Sequence, residues 1–561
     1  MRRQGLSSYS KNRVSERRES ESRASRDQGR PQRFSSRATL LALLLLDFAV
    51  YAEPPRDSPS IRPAAKTSSL PESCVELGSS STEISRLIQN AVSRSSATAY
   101  RTLGEHFGDI NEFSCSIAAY ELALKLDPRS LQTRQNLGLT LIQTGDLHRA
   151  AKELREVITQ QPGSYLAHNG LGLALEGLGN LAAARDEFDA AVNLNPRFAL
   201  GYFNLAHVAS SESHPAAAVF YAEKAASLEP REPAYQLALG IAYSQNQEFQ
   251  RSIEVLTKLV AAYPDLTEAY HNLGTVYAKK KDFDAAVRNY RQALKLDPGN
   301  HEALLSLGIA LVAKVQPVEA LRVLNEYLDR RPRDFQGYYW RGRAYKDLSR
   351  HQEAAESLEQ ASRLNADDYE VRFNFGVVLV QLGRLSEGVR QLQLAKALNP
   401  QGTDVRYQLA SVLRRLNDST AANEELRVFQ ELKNRDQRKA RAVQFHNEGD
   451  AFLAKEEFGK AAEQYRQGLE LDPDNPRLHY NLALAFKGSG NQEEQRRELE
   501  AAIRLDSNLA PAYYWLGQLY RAQGNLTDAE QSLKAAIAID PQLLQAKESL
   551  ASLRKGRRAD R

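Results

Sequence analysis

Imidazoles can move protons or hold metals, thiolates can attack or ligate, and glycine-spaced loops can cradle phosphate. Function in this chain is first sought in such groups. His168, His271, His446 and His479 lie far apart, yet each stands at the fourth or fifth place of a recurring 34-residue unit. Recurrence at one place in a repeat argues for packing or for lining a surface, and against convergence on one reaction centre. The run GLGLALEGLG at 170–179 offers spaced glycines, but Gly172 is the helix-packing small residue of its unit, so no phosphate loop is expected. The sequence contains no Walker-type loop, dinucleotide fingerprint or H-E-x-x-H pair. Cys74 and Cys115 are its only cysteines, too few for a disulfide scaffold or a Cys-rich metal site. In an oxidising compartment they either pair with each other or remain two free thiols. No cofactor, metal or catalytic residue is expected, and the chain reads as a non-enzyme.

A different side chain keeps time with the unit. Its sixth place holds Asn136, Asn204, Asn272, Asn374, Asn447 and Asn481. Asparagine is a mediocre helix former, so propensity does not select it there. A side-chain amide offers two donors and an acceptor, which suits the backbone of an extended peptide. The same amide could instead cap or bridge neighbouring helices. Trp340 and Trp515 take the same sixth place, in GYYWRGRAY and AYYWLGQLY, with Tyr339 and Tyr514 beside them. These rings either grip apolar side chains of a ligand or pack between helices.

The elements that position these residues follow from the period. Pro128, Pro162, Pro196, Pro230, Pro264, Pro298 and Pro332 are each 34 residues apart; Ala366 takes the next slot and Pro400 resumes the series. Twenty-four residues ahead of each slot stands a small residue: Gly104, Gly138, Gly172, Ala206, Gly240, Gly274, Gly308, Gly342 or Gly376. Apolar residues recur at helical spacing in each half-unit, as in Tyr270, Leu273 and Tyr277, then Phe283, Ala286, Val287 and Tyr290. The unit is therefore a pair of antiparallel helices, brought close by the small residue and stopped ahead of the proline. One pair cannot bury both of its apolar faces, whereas stacked pairs can.

The unit YHNLGTVYAKKKDFDAAVRNYRQALKLDP at 270–298 resembles the tetratricopeptide repeat. That resemblance implies an all-α solenoid of about thirteen repeats, a right-handed superhelix of antiparallel helix pairs whose first helices line a concave groove. Ten tandem repeats fit 97–436; after a register offset at 437–441 three more fit 442–543. The offset falls in ELKNRDQRKARAVQF, read either as one continuous helix or as a longer turn. A cap helix is expected at 73–96, and a capping helix with a basic tail at 544–561. The repeats are similar to the tetratricopeptide half of O-linked N-acetylglucosamine transferases, whose asparagine ladder holds substrate by its backbone. By that resemblance the six asparagines contact peptide. The carboxylate clamp of chaperone-binding relatives needs Lys or Arg beside Asn in successive repeats. No such basic set spans three consecutive repeats, so chaperone-tail recognition is not expected.

Ahead of the repeats the composition changes. Residues 1–37 hold eleven Arg or Lys against four acids and almost nothing apolar. Residues 40–52 are apolar apart from Asp47, and VYA at 50–52 suits signal peptidase, so 1–52 reads as a basic arm plus signal peptide. A Pro/Ser linker follows at 53–72. The expected location is periplasmic or extracellular, or tethered to the inner membrane if residues 40–52 stay uncleaved. Beyond residue 52 the chain carries 63 basic and 65 acidic residues, so no nucleic-acid surface is expected. The leading expectation is a bacterial, exported, non-enzymatic scaffold that binds other proteins or extended peptide segments in envelope assembly or secretion. The alternative is a regulatory or substrate-presenting subunit of an enzyme on a separate chain, such as a glycosyltransferase.

Overall fold

Each unit folds as two helices because its sequence supplies a stop after each one. In eleven of the thirteen repeats the first helix has 13 residues and the second 14, as in Ala97–Asp109 and Phe113–Leu126 of repeat 1. Between them, position 15 adopts a left-handed backbone in all thirteen repeats, with φ between 59° and 80°. Five of these residues are glycine and two, Asn111 and Asn417, are asparagine, the types that tolerate this conformation. The second stop lies at positions 31 and 32. At Asp127, Asn195, Asp297 and Asn399 the side-chain oxygen accepts from the backbone N–H two residues on, at 2.8 to 3.2 Å, and the following proline excludes further helix.

The computed structural model describes residues 69–559 except 542, within one unit spanning Thr67–Arg561. The basic arm and signal peptide, and the linker as far as residue 68, lie outside the described residues. The described residues are all-α, with 28 helices packed in consecutive pairs, a tetratricopeptide-type solenoid of about thirteen repeats. Among the described residues no helix is long and apolar enough to cross a membrane.

Within a repeat the two helices interlock at one point. A Cβ placed on Gly172 would meet the Phe188 ring at 2.5 Å, and one on Gly138 would meet Leu154 at 2.6 Å. The same opposition recurs at Gly240 and Leu256, Gly308 and Leu324, and Gly449 and Tyr465. Position 8 must be small because position 24 is large and fully buried, as Phe188, Leu154 and Tyr465 are. Repeat 4 solves the contact differently, with Ala206 and Ala222 both small and both buried.

A second device fastens each repeat to the turn before it. The side chain at position 4 bonds the carbonyl six residues upstream, at 2.9 to 3.2 Å, in seven repeats; Arg134 to Pro128 and Tyr338 to Pro332 are examples. His168 and His479 belong to this set, and each also contacts a carboxylate at position 23 of its own repeat, Glu187 or Glu498. Both histidines are therefore structural staples.

Three proline slots are vacant, and only one vacancy changes the chain. At Ala366 and Ser507 the helix still ends, because Asn365 and Asp506 make the same side-chain turn, to the N–H groups of Asp367 and Asn508. At Asn434 the preceding residue is Lys433, which can do neither job. The second helix of repeat 10 consequently runs on as Ser419–Leu453, 35 residues, and becomes the first helix of repeat 11. Of the two readings for residues 437–441, the continuous helix is the observed one. At 1.5 Å per residue that rod is about 50 Å long. The segment 73–96 holds two helices, Glu72–Ser80 and Thr82–Arg94, where one was expected. Ser81 is extended, and its hydroxyl accepts from Ile84 N at 3.4 Å, capping the second helix. Cys74 and Cys115 are joined as a disulfide across 41 residues, fastening Glu72–Ser80 to repeat 1. At the other end Leu544–Ala559 covers repeat 13, with Leu550 and Leu553 buried.

Val315 is the one β-branched residue at the left-handed position, with φ 61° and 74% of its surface exposed. Little packing offsets its strain. Val315→Asn should therefore stabilise the chain by about 1 kcal/mol. Thermal unfolding would show a raised midpoint; an unchanged or lowered midpoint would mean that the valine is not strained there.

Candidate functional site

The first helices of successive repeats lie side by side, and the polar residues on that shared face bond one another across the repeat boundary. Position 6 reaches back to position 5 or 9 of the repeat before. Asn204 Nδ2 donates to Asn169 Oδ1 at 2.8 Å, and Asn136 Nδ2 to Glu105 Oε1 at 3.1 Å. Asn481 Nδ2 lies 2.8 Å from Asp450 Oδ1 and 3.0 Å from His446 Nε2. Asn374 Nδ2 donates to Tyr339 Oη at 3.4 Å and to the Glu370 carbonyl at 2.9 Å. His271 joins the same pattern from the other side, with Nε2 3.2 Å from Ser306 Oγ at position 6 of repeat 7. Burial, with Glu302 partly opposing it, holds the His271 ring below its usual pKa. A neutral ring is therefore what meets Ser306.

Four of the six asparagines thus bridge neighbouring helices. Asn272 instead donates within its own helix, to the Glu268 carbonyl at 2.9 Å. Asn447 is exposed. The long helix explains this: the residues just upstream of Asn447 continue its own helix, so no repeat boundary of the ordinary kind lies beside it. Sequence reasoning left bridging and peptide contact both open for this column. The bridging partners sit 31 or 35 residues upstream in other columns, and a column-by-column comparison of polar residues would have found them.

The aromatic pairs are brought together in both predicted places. The ring centroids of Tyr339 and Trp340 are 5.2 Å apart, edge to face, and those of Tyr514 and Trp515 are 4.9 Å apart. Tyr339 is buried, and Trp340, Tyr514 and Trp515 are half-buried. Each tryptophan carries a cation: the Arg343 guanidinium lies 5.4 Å from the Trp340 centroid and the Lys487 ammonium 4.0 Å from that of Trp515. These cations stand at positions 9 and 12, which sequence reasoning did not single out. Lys346, also at position 12, donates to Asn374 Oδ1 at 3.2 Å. Burial, and then the Arg343 charge, hold the Lys346 ammonium below its usual pKa.

This face holds amides, hydroxyls, carboxylates, rings and cations, bonded largely to one another across the repeat boundary. Among the described residues, no group of three or more His, Cys, Asp and Glu side chains could hold a metal ion. What the arrangement offers is recognition of another chain.

Bridging and exposed asparagines should respond differently to truncation. Asn204 and Asn169 are 3% and 4% exposed. Asn204→Ala leaves the Asn169 oxygen buried without its donor and should cost about 1–3 kcal/mol. Asn447→Ala should change stability by less than about 0.5 kcal/mol. Urea unfolding of both variants checks this, and equal effects would refute the bridging role.

Comparison with known proteins agrees with the repeat architecture. Models described as tetratricopeptide repeat match residues 136–197, 203–267, 339–403, 267–300, 476–509 and 510–543, and one described as TPR repeat matches 449–490. No curated protein matches. Among solved structures, the APC/C hetero-tetramer Cut9–Hcn1 is 15% identical, covering 84% of this chain and 99% of that one, with a TM-score of 0.36. A tetratricopeptide repeat protein from Parabacteroides merdae is 16% identical, covering 45% and 99%, with a TM-score of 0.38. MamA from Desulfovibrio magneticus RS-1 is 22% identical, covering 30% and 94%, with a TM-score of 0.29. With the matched segments together spanning more than half of its length, the chain belongs to the tetratricopeptide-repeat family.

Proposed function

We propose that this protein is an exported bacterial scaffold whose first-helix face binds an extended polypeptide segment of a partner in envelope assembly or secretion. Protein–protein interaction is the coarse role of its repeats, which are in general non-catalytic. The observation that carries the finer reading is the unused half of the asparagine column. Among the described residues, the hydrogen bonds of Asn136, Asn272 and Asn481 run through Nδ2. Each Oδ1 is thereby turned to a second use, accepting from the backbone N–H of a bound segment, while Nδ2 holds the neighbouring helix. Asn447 offers both halves of its amide.

Spacing supports an extended ligand. Packed helices stand about 8–10 Å apart and an extended chain advances about 3.3 Å per residue, so roughly three ligand residues span one repeat. Backbone contacts of this kind tolerate many sequences, and specificity falls to the aromatic and charged side chains, here Trp340, Trp515, Tyr339 and Tyr514. Export rests on the order of basic flank, apolar stretch and small residues in 1–52.

A photo-crosslinking amino acid placed at Asn447 or Tyr514 should capture one partner in native cells, through an extended stretch of that partner. The same group at Arg322, on the second helix of repeat 7, should not. Capture chiefly from Arg322, or from no position, would overturn the reading. The intact mass of the same purified chain should correspond to a start at residue 53; a mass that includes residues 1–52 would overturn cleaved export.

A further inference from the structure

The twelfth position of the first helices divides the array. Three contacts place this column on the shared face. Lys346 reaches Asn374 and Lys487 covers Trp515, both position 6 of the next repeat, and Glu176 Oε1 lies 2.6 Å from His207 Nδ1 at position 9 of the next. In repeats 1–7 the column contains no cation, and its one charge is Glu176. In repeats 8, 10, 12 and 13 it contains Lys346, Arg414, Lys487 and Arg521. Position 9 of repeat 8 adds Arg343.

These cations differ from those on the second helices. There, Arg350 and Arg384 pair with a carboxylate three residues on, and Arg427 and Arg496 with one three residues back, at 2.6 to 2.9 Å. None of Arg343, Lys346, Arg414, Lys487 and Arg521 makes an ion pair with a carboxylate among the described residues. The nearby acids are committed elsewhere, Glu370 to Asn374 and Asp450 to Asn481 and Tyr465. Arg414, Lys487 and Arg521 are exposed and Lys346 is half-buried. Like charges held together on one face, without the acids that neutralise cations elsewhere in the chain, are complementary to an anionic ligand.

We propose that the first-helix face of repeats 8–13 binds an extended polypeptide segment rich in Asp and Glu. The proposal rests on the peptide-binding reading above and adds the chemistry of the ligand. Single-stranded nucleic acid fits the face less well, because such binding needs aromatic faces open for stacking. Here Tyr339 and Tyr514 pack edge-to-face on the two tryptophans, and Lys487 covers Trp515. The long helix Ser419–Leu453 separates Lys346 and Arg414 from Lys487 and Arg521, so the column forms two pairs that a single segment engages separately.

The test is fluorescence anisotropy on the full chain, with peptides of alternating Glu and Ser, Gln and Ser, or Lys and Ser, and with a single-stranded oligonucleotide. The Glu/Ser peptide should bind at least about tenfold tighter than Gln/Ser and should weaken as salt rises. Combining Lys346→Gln, Arg414→Gln, Lys487→Gln and Arg521→Gln should remove about tenfold of that affinity. Combining Lys152→Gln, Lys258→Gln, Arg322→Gln and Arg390→Gln, on second helices, should leave it nearly unchanged. Circular dichroism checks folding; if Lys346→Gln disturbs it, the three exposed positions alone carry the test. Equal binding of Glu/Ser and Gln/Ser, insensitive to the inner variant, overturns this inference and leaves the peptide-binding reading standing. Absence of binding by every peptide overturns both. Equal loss in the two variants, crosslinking of the acidic peptide to residues 1–37, or tighter binding of the oligonucleotide each overturns the acidic-segment proposal.

Discussion

The fold depends on a contact that admits no extra atom. Where Gly172 meets Phe188, or Gly449 meets Tyr465, a single added methyl group would overlap the facing ring. The two helices of a repeat can therefore approach only with a bare backbone on one side and a large buried side chain on the other. That approach fixes the angle at which the second helix leaves the first. It also fixes where the apolar edge of the pair is offered to the next repeat. With the interlock recurring every 34 residues, the first helices fall side by side and their outward columns align.

Polar residues then divide the labour by column. Position 4 fastens each first helix to the preceding turn, and position 6 fastens it to the preceding first helix. Both uses satisfy groups that would otherwise be costly to bury, as at Asn204 and Asn374. Position 12 is different in repeats 8–13, where its cations have no carboxylate of their own. The columns near the interlock hold the array together; the column farther along the helix is the one proposed to meet an acidic segment.

Much of this was legible in the sequence, for physical reasons. The small residues at position 8 and the prolines at position 32 act locally, so their spacing gave the helix pairs and their boundaries directly. The vacant proline slots were less transparent. Ala366 and Ser507 proved harmless because Asn365 and Asp506 turn the chain unaided, whereas Lys433 lets the helix run on through residue 453. The split of 73–96 turned on Ser81 acting as a cap, a signal easily lost among the neighbouring serines. The asparagine column was visible but its use was not. A bridge joins two columns 31 or 35 residues apart, and a single-column pattern names one partner only. The cations without a carboxylate were invisible for the same reason, since lacking an ion pair is a property of the folded surroundings.

Amide hydrogen exchange of the full chain, with and without the Glu/Ser peptide, tests the central claim most directly. The account predicts added protection in the first helices of repeats 8, 10, 12 and 13, at 335–347, 403–415, 476–488 and 510–522, with little change in the second helices or in repeats 1–7. Protection confined to the second helices, or spread evenly over all thirteen repeats, would contradict it.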